Sequence, residues 1–335
     1  VVATPCPLIL AAPVALVSGL SRAARRGVIA KGSGAIEQLG RAHTVLLDKT
    51  GTVTLGQVVP IRGMPDDAAT LSILLTLARA STHPLSRAVA TYAQAHCAVA
   101  LPVQRLSEQP GLGLEGDVAG VTCRLGRPEW VVGKRFPAHA RTTVAYRVGE
   151  RPAATIEFRD ALRIDAAAAI ERLRQERLTV ELLSGDSVTA VGELAAALGV
   201  AAQAQMSPAD KYDWIRTQQS AGRRVLMVGD GLNDGPALKV ADVAMAPGTA
   251  SDVGAMAADI IFLGDRLMPV PLAIAAARRT QQVVRQNFAL AIGYNAVAVP
   301  LAIAGFVTPL IAAVAMSGSS LLVVANALRL RSAVR

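Results

Sequence analysis

Three short apolar runs each end in an aspartate-bearing turn, and this pattern limits the fold more than any other feature of the chain. Residues 43–47 run into Asp48, residues 180–183 into Ser184-Gly185-Asp186, and residues 225–228 into Gly229-Asp230-Gly231. Val225-Leu226-Met227-Val228 is apolar throughout, Val45-Leu46-Leu47 leads into Asp48, and 180–183 is apolar but for Glu181. Short runs of this kind, without regular polar alternation, read as strands buried on both faces. Further strands are expected over 243–245 and 260–263, with helices over 165–177 and 188–198. Strands alternating with helices imply a parallel sheet. Ligands of such sheets bind beyond the carboxyl ends of the strands, which is where these aspartates fall. The block between residues 58 and 157 interrupts the rhythm. It carries Pro60, Pro102, Pro110 and Pro128 and reads as a separate domain inserted between the first two sheet strands.

Part of the chain is too apolar for a soluble body. Hydrophobic residues make up 52% and aromatics 3%, and the mean hydropathy is +0.40. Apolar stretches over 1–20, 287–306 and 310–328 are each near the ~20 residues that cross a bilayer. Val307-Thr308-Pro309 would be a tight hairpin between the last two. Arg22, Arg25, Arg26 and Lys31 follow the first stretch, Arg278, Arg279 and Arg285 precede the second, and Arg329 and Arg331 follow the third. Positive flanks mark the cytoplasmic side, so residues 25–285 are expected to form one cytoplasmic body. The net charge of +9 thus belongs to membrane flanks and phosphate ligands. No aromatic-rich RNA motif, zinc finger or basic helix points to nucleic acid. Cys6, Cys97 and Cys123 form no CxxC pair and suggest neither a disulfide framework nor a zinc site. Cys97, Cys123, His96 and His139 read as structural or surface residues. The chain opens at Val1-Val2-Ala3, already apolar, and reads as a piece beginning inside a helix.

Clustered aspartates suit phosphoryl transfer. A carboxylate can accept a phosphoryl group as an acyl phosphate and split one hard step into two. Asp48, Asp186, Asp230 and Asp234 would repel one another unless a cation joined them, and Mg²⁺ does this by bridging carboxylate and phosphate oxygens. Lys211 can set a fixed positive charge beside the phosphoryl oxygens. Thr50, Ser184 and the N–H groups of Gly51 and Gly185 can donate hydrogen bonds to them.

These residues carry a family resemblance. Asp48-Lys49-Thr50-Gly51-Thr52-Val53-Thr54 is similar to the phosphorylation motif of P-type ATPases, and the run 229–235 resembles their hinge motif. Ser184-Gly185-Asp186 and Pro208-Ala209-Asp210-Lys211 resemble the two motifs between. The resemblance implies a HAD-like, Rossmannoid α/β phosphorylation domain with an inserted α+β nucleotide-binding domain and three transmembrane helices. It implies that ATP phosphorylates Asp48, that Asp230 and the Thr50 carbonyl hold Mg²⁺, and that Asn233 and Asp234 complete the phosphate site. Lys49 and Thr52 belong to the same catalytic run. Related phosphatases of this fold carry a second Asp two positions after the nucleophile as general acid/base. Here that position is Thr50, so the phosphoenzyme should persist. In the family a Glu of an actuator domain assists hydrolysis, and that domain would lie upstream of Val1.

Ser81-Thr82-His83-Pro84 resembles the His-Pro motif of the heavy-metal branch, with Thr82 where Glu is usual. His83 and Pro84 would meet adenine. Gly111 and Gly113 resemble the branch's glycine pair, where missing side chains admit nucleotide to the backbone; a hairpin turn is the plainer alternative. Thr4-Pro5-Cys6-Pro7 resembles a Cys-Pro-Cys metal motif with Thr4 in place of the first Cys. Prolines break the backbone ladder, and broken helices at membrane depth line ion sites. A thiolate there selects soft transition metals, although a kinked helix with a small apolar Cys would look the same. Tyr294-Asn295 and the run Met316-Ser317-Gly318-Ser319-Ser320 resemble the copper branch's last helices. Tyr294, Asn295, Met316 and Ser320 are therefore candidate ligands, with core packing the alternative for Met316.

The expected division is a transmembrane helix with the metal motif over 1–24 and a phosphorylation domain over 25–57 and 157–266. A nucleotide-binding domain spans 58–156, a cytoplasmic stalk helix 267–286, and transmembrane helices 287–306 and 309–330. The expected function is ATP-driven export of a transition-metal cation across a bacterial plasma membrane. Copper is favoured over zinc, cadmium, cobalt or nickel. A HAD-type phosphohydrolase and a non-transporting ATP-binding fragment are the other readings.

Overall fold

The computed structural model describes residues 6–25, 27–133, 142–231 and 233–332, and the side chains of 6–10, 309 and 331–332 are not among those described. Thr4, Pro5, Arg26, His139, Leu232 and Arg335 lie outside the described residues. In chain order the elements are α1 (Cys6–Ala24), β1 (Val28–Ala30), α2 (Ser33–Gly40), β2 (Thr44–Asp48), β3 (Thr54–Arg62), α3 (Ala68–Ala78) and α4 (Pro84–Ala95). There follow β4 (Val103–Gln109), β5 (Gly113–Val118), β6 (Val121–Gly126), α5 (Pro128–Val132), β7 (Thr143–Val148), β8 (Ala154–Leu162) and α6 (Ala166–Gln175). The rest are β9 (Thr179–Leu183), α7 (Val188–Leu198), β10 (Ala201–Gln203), α8 (Pro208–Ser220), β11 (Val225–Val228), α9 (Gly235–Val240), β12 (Val243–Pro247), α10 (Asp252–Ala257), β13 (Ile260–Phe262), α11 (Pro269–Ile303) and α12 (Pro309–Ser332).

The chain forms two compact units, one of residues 1–53, 163–185 and 194–335, the other of residues 54–162 and 186–193. The first holds a seven-stranded sheet in the order β1-β13-β12-β11-β2-β9-β10. All its pairings are parallel except β1 with β13. β2 lies between β11 and β9, in a register that sets Leu47 against Val228 and Asp48 against Leu183. Every residue of β2, β11 and β12 is buried, as strands covered on both faces require. Leu46, Leu183, Met227, Ile215 and Ala244 pack into one core cluster behind the sheet edge.

The second unit is a six-stranded antiparallel sheet, β3-β8-β7-β6-β5-β4, with α3 and α4 on its core. Leu74, Leu77, Val89, Leu114, Leu125, Ile156 and Phe158 fill that core. Along β5 buried and half-buried residues alternate, the mark of a sheet with one covered face.

α1, α11 and α12 pack on one another in the first unit. Two helices among the described residues are long and apolar enough to cross a membrane, over Pro269–Ile303 and Leu310–Leu330. The apolar part described in α1, Ala11–Ala24, is shorter. The stalk expected over 267–286 and the span expected over 287–306 form a single helix without a break, because α11 runs 35 residues from Pro269 to Ile303. The proline inside the described part of α1 is Pro13.

Candidate active site

β2 ends at Asp48, and the chain then makes a tight loop over residues 49–53. Thr50 is extended (φ −78°, ψ 129°) and Gly51 is left-handed (φ 71°), a conformation that favours glycine. A Cβ on Gly51 would stand 2.5 Å from Asp230 Oδ2, so the loop and the β11 turn are in close approach. Thr50 itself is exposed. Lys49 and Thr52 are buried, and the Thr52 hydroxyl has no hydrogen-bond partner among the described residues.

The carboxylates of Asp48, Asp230 and Asp234 bring oxygens within 4.8 Å of one another. Lys211 enters from the first turn of α8, whose start is fixed by a reciprocal Ser207–Asp210 cap. Its Nζ donates to Asp48 Oδ1 and to Asp234 Oδ1, each at 2.6 Å. Asp48, Lys211 and Asp234 are 5%, 4% and 1% exposed, so the ion triad is a buried one. Burial, and then the neighbouring Asp234, push the Asp48 carboxyl up to about 7, against the pull of Lys211. Burial also opposes the charge on Lys211, but Asp48 and Asp234 outweigh it and hold the ammonium above its ordinary range. Two of these carboxylates share the Lys211 ammonium and the third stands beside them, and their all-oxygen donor set fits Mg²⁺.

Ser184 closes β9 and is buried, Gly185 is exposed, and Asp186 follows half-buried. Ser184 is held by its backbone: its N–H donates to the Gln203 carbonyl at 2.9 Å and its carbonyl accepts from Met206 N–H at 3.0 Å. Asn233 is exposed in the turn before α9.

The inserted unit carries its own cavity, about 350 Å³, lined by Ser81, His83, Glu108, Gly111, Gly113 and Arg127 among others. His83 caps α4: its Nδ1 accepts from Leu85 N–H at 3.3 Å, which leaves Nε2 as the donor. Pro84 follows as the first helical residue. Ser81 Oγ accepts from His83 N–H at 3.1 Å and donates to Glu108 Oε1 at 2.6 Å. Gly113 has no room for a side chain, since a Cβ there would lie 2.4 Å from the Leu125 carbonyl oxygen. Gly111 is left-handed with φ 75° and opens onto free space.

Residues 42–242 match the family described as haloacid dehalogenase-like hydrolase. A nitrogen fixation protein FixI of Rhizobium leguminosarum bv. viciae is 44% identical over 335 residues, covering 98% of this chain and 44% of that protein. A copper-exporting P-type ATPase of Mycobacterium tuberculosis is 37% identical over 347 residues, covering 99% of this chain and 45% of that protein. The crystal structure of a zinc-transporting PIB-type ATPase in an E2.Pi state matches with a TM-score of 0.86 at 32% identity, covering 98% of this chain and 56% of that one. The chain belongs to the haloacid dehalogenase-like hydrolases, in their P-type ATPase branch. It spans a little under half the length of the curated relatives it matches.

In this P-type ATPase chain the membrane-facing candidates separate into two sets. A cavity of about 330 Å³ between α11 and α12 is lined by Tyr294, Gly318, Ser319 and apolar neighbours. The Tyr294 hydroxyl and Asn295 Oδ1 are shielded and have no hydrogen-bond partner among the described residues. Met316 and Ser320 do not line that cavity. Ala315, Ser319 and Leu322 share one helical face at i, i+4 and i+7, and Met316 and Ser320 stand about 100° further round. Residues read singly from the run 316–320 therefore miss Ser319. A polar contact also crosses the helices: Asn287, fully buried, donates to the Ala11 carbonyl at 3.0 Å and accepts from Asn326 at 2.9 Å. Glu108, Arg127 and Asn287 carry no sequence signal, because only the folded chain brings them to a cavity or a helix seam.

Proposed function

We propose that this chain is the catalytic and C-terminal membrane part of an ATP-driven heavy-metal cation pump that works through an aspartyl phosphate on Asp48. The observation that carries this reading is the buried pairing of Lys211 with Asp48 and Asp234, with the half-buried Asp230 carboxylate beside them, at the carboxyl edge of the parallel strands.

ATP is the phosphoryl donor, held by the inserted unit at His83, Pro84, Gly111 and Gly113. An Asp48 carboxylate oxygen attacks the γ-phosphorus, the bond to the β–γ bridging oxygen breaks, and ADP leaves. Lys211 keeps Asp48 in place and offers its ammonium to the transferring oxygens. Thr50, Thr52, Ser184 and Gly185 offer donors to the same group, with Lys49, Asp186 and Asn233 at its margin. Mg²⁺, when bound by Asp48, Asp230 and the Thr50 carbonyl, would neutralise charge shared by carboxylate and phosphate. Asp234 orients Lys211. Thr50 carries no carboxylate to activate water, so the acyl phosphate lasts long enough to bias the membrane helices. An upstream actuator domain would then assist hydrolysis.

The transported ion is read as copper first and zinc second, in keeping with the copper-exporting relative and the zinc-transporting PIB-type structure. Cys6, Tyr294, Asn295, Met316 and Ser320 are its proposed ligands, and the unpartnered Tyr294 and Asn295 oxygens support the α11 end of that site. The basic flanks support a plasma-membrane protein with both units on the cytoplasmic side.

The test is phosphorylation by γ-labelled ATP, quenched in acid. The expected outcome is a stable, hydroxylamine-sensitive phosphoprotein that Asp48→Asn abolishes. Label retained by Asp48→Asn would overturn the reading, and rapid turnover with no trapped intermediate would favour a phosphohydrolase. Stimulation of the full-length protein by Cu(I), Zn, Cd, Co or Ni, with Cys6→Ala as control, decides the ion.

A further inference from the structure

Arg163 begins the return of the chain into the sheet unit after β8, and nothing in its sequence context sets it apart. It is nevertheless 3% exposed. Its guanidinium is committed to backbone oxygens. Nε donates to the Thr52 carbonyl at 2.6 Å, Nη2 to the Gly51 carbonyl at 3.0 Å, and Nη1 to the Gly264 carbonyl at 3.2 Å. Its own N–H donates to the Val53 carbonyl at 3.0 Å. The guanidinium carbon lies 5.6 Å from the centre of the Phe262 ring, a cation–π contact on its flank. It makes no ion pair among the described residues.

A buried charge is costly, and here charge-assisted bonds to carbonyls offset it, helped by the nearby Asp265 and Asp165 carboxylates. Those carbonyls are the ones that shape the loop after Asp48. In a planar peptide the N–H and C=O point opposite ways. Holding the Gly51 and Thr52 carbonyls toward Arg163 therefore turns the Thr52 and Val53 N–H groups away from it. The other flank of the loop is closed by Asp230, which leaves no room for a Cβ on Gly51. Loop 49–53 is thus fixed between a cation that reads its carbonyls and a carboxylate of the acid cluster.

We propose that Arg163 is a positioning residue for phosphoryl transfer, holding loop 49–53 in the shape that presents Asp48 and the Thr50 carbonyl to Mg²⁺ and the γ-phosphoryl group. This rests on the reading of Asp48 as the phosphate acceptor. Arg163 touches neither substrate nor metal and acts only through the loop. Lysine keeps the charge but not the fork, so Arg163→Lys should restore part of the function and Arg163→Gln little.

The experiment compares wild type, Arg163→Gln and Arg163→Lys as the full chain in detergent. It measures the Mg²⁺ dependence and rate of phosphoprotein formation from ATP, ATP affinity, amide exchange over residues 49–53, and thermal midpoint. The expected result for Arg163→Gln is a ~100-fold slower phosphorylation, the loss that a small misplacement of a reacting group produces. A raised Mg²⁺ half-saturation and faster exchange of the loop amides should accompany it, with ATP affinity unchanged and Arg163→Lys intermediate. A folded Arg163→Gln with the wild-type rate and Mg²⁺ half-saturation, whatever its thermal midpoint, overturns the proposal. If that variant does not fold, the same wild-type values in Arg163→Lys overturn it. A wild type that forms no phosphoprotein sinks the Asp48 reading and this inference together. Where the wild type does phosphorylate, loop exchange in a folded Arg163→Gln equal to that of wild type sinks the positioning role alone.

Discussion

At the end of β2 the polar groups are buried and already joined, whereas around the cavity of the inserted unit they are mostly exposed. Asp48, Lys211 and Asp234 are each at most 5% exposed and share two 2.6 Å contacts. His83, Gly111 and Arg127 are exposed. The difference suits the tasks proposed for them. Phosphoryl transfer gains from charges fixed before the substrate arrives, because such groups need no reorganisation at the moment of reaction. Nucleotide recognition gains from an open surface with small residues and a few directed donors. One region is therefore intolerant of change in rate, the other in affinity.

Four outcomes test that division, from the largest expected effect to the smallest. Lys211→Met leaves two buried carboxylates without their ammonium. Phosphorylation should fall by roughly 10²–10³, as it does when a preorganised electrostatic donor is lost, and stability by about 3–5 kcal/mol. Rate quench and thermal melting check both, and a rate within threefold of wild type would break the comparison. Gly51→Ala strains a left-handed residue and meets Asp230. The phosphorylation rate should drop about 10–100-fold with ATP affinity intact, which a binding titration beside the rate measurement checks. His83→Ala removes one directed donor from the open cavity. ATP affinity should weaken about tenfold, near the worth of one such hydrogen bond, while phosphoprotein at saturating ATP stays near wild type. A lost rate at saturation would show that His83 takes part in the chemistry.

The smallest effect is one of acid stability. Burial works against the Asp242 carboxylate, but the Val225 N–H, Arg224 and Gln219 outweigh it and hold its pKa below the usual 3.8. A depressed acid stabilises the fold above its unfolded pKa and loses that contribution as pH falls through the folded value. Asp242→Asn should therefore lower stability at pH 7 by about 1–2 kcal/mol. The gap from wild type should close below pH 3.8, as denaturant melts at several pH values would report.

Much of the sheet was legible in the chain. The runs over 180–183 and 225–228 coincide with or lie inside β9 and β11, and 188–198 is α7. A short, largely apolar run bounded by Gly- and Asp-bearing turns suits a strand covered on both faces, so its pattern survives without knowledge of neighbours. β1 and β10, three residues each, carry too little pattern and are strands because β13 and β9 pair with them. The six-stranded sheet of the inserted unit was legible only as an interruption, because β4 is largely exposed and β3 mixes exposed and half-buried residues without regular alternation.

By itself the sequence determined that aspartates close short apolar runs and that two long apolar segments end the chain, while only the family resemblance marked Thr50 as standing where a second Asp would act. These are local facts, set by residue type and period. Tertiary structure alone decided which groups share Lys211, that Ser319 rather than Ser320 meets Tyr294 at a cavity, and that Arg163 grips the loop after Asp48. Each depends on residues more than 20 positions apart, and their meeting is fixed by sheet order and helix packing rather than by any run of the chain.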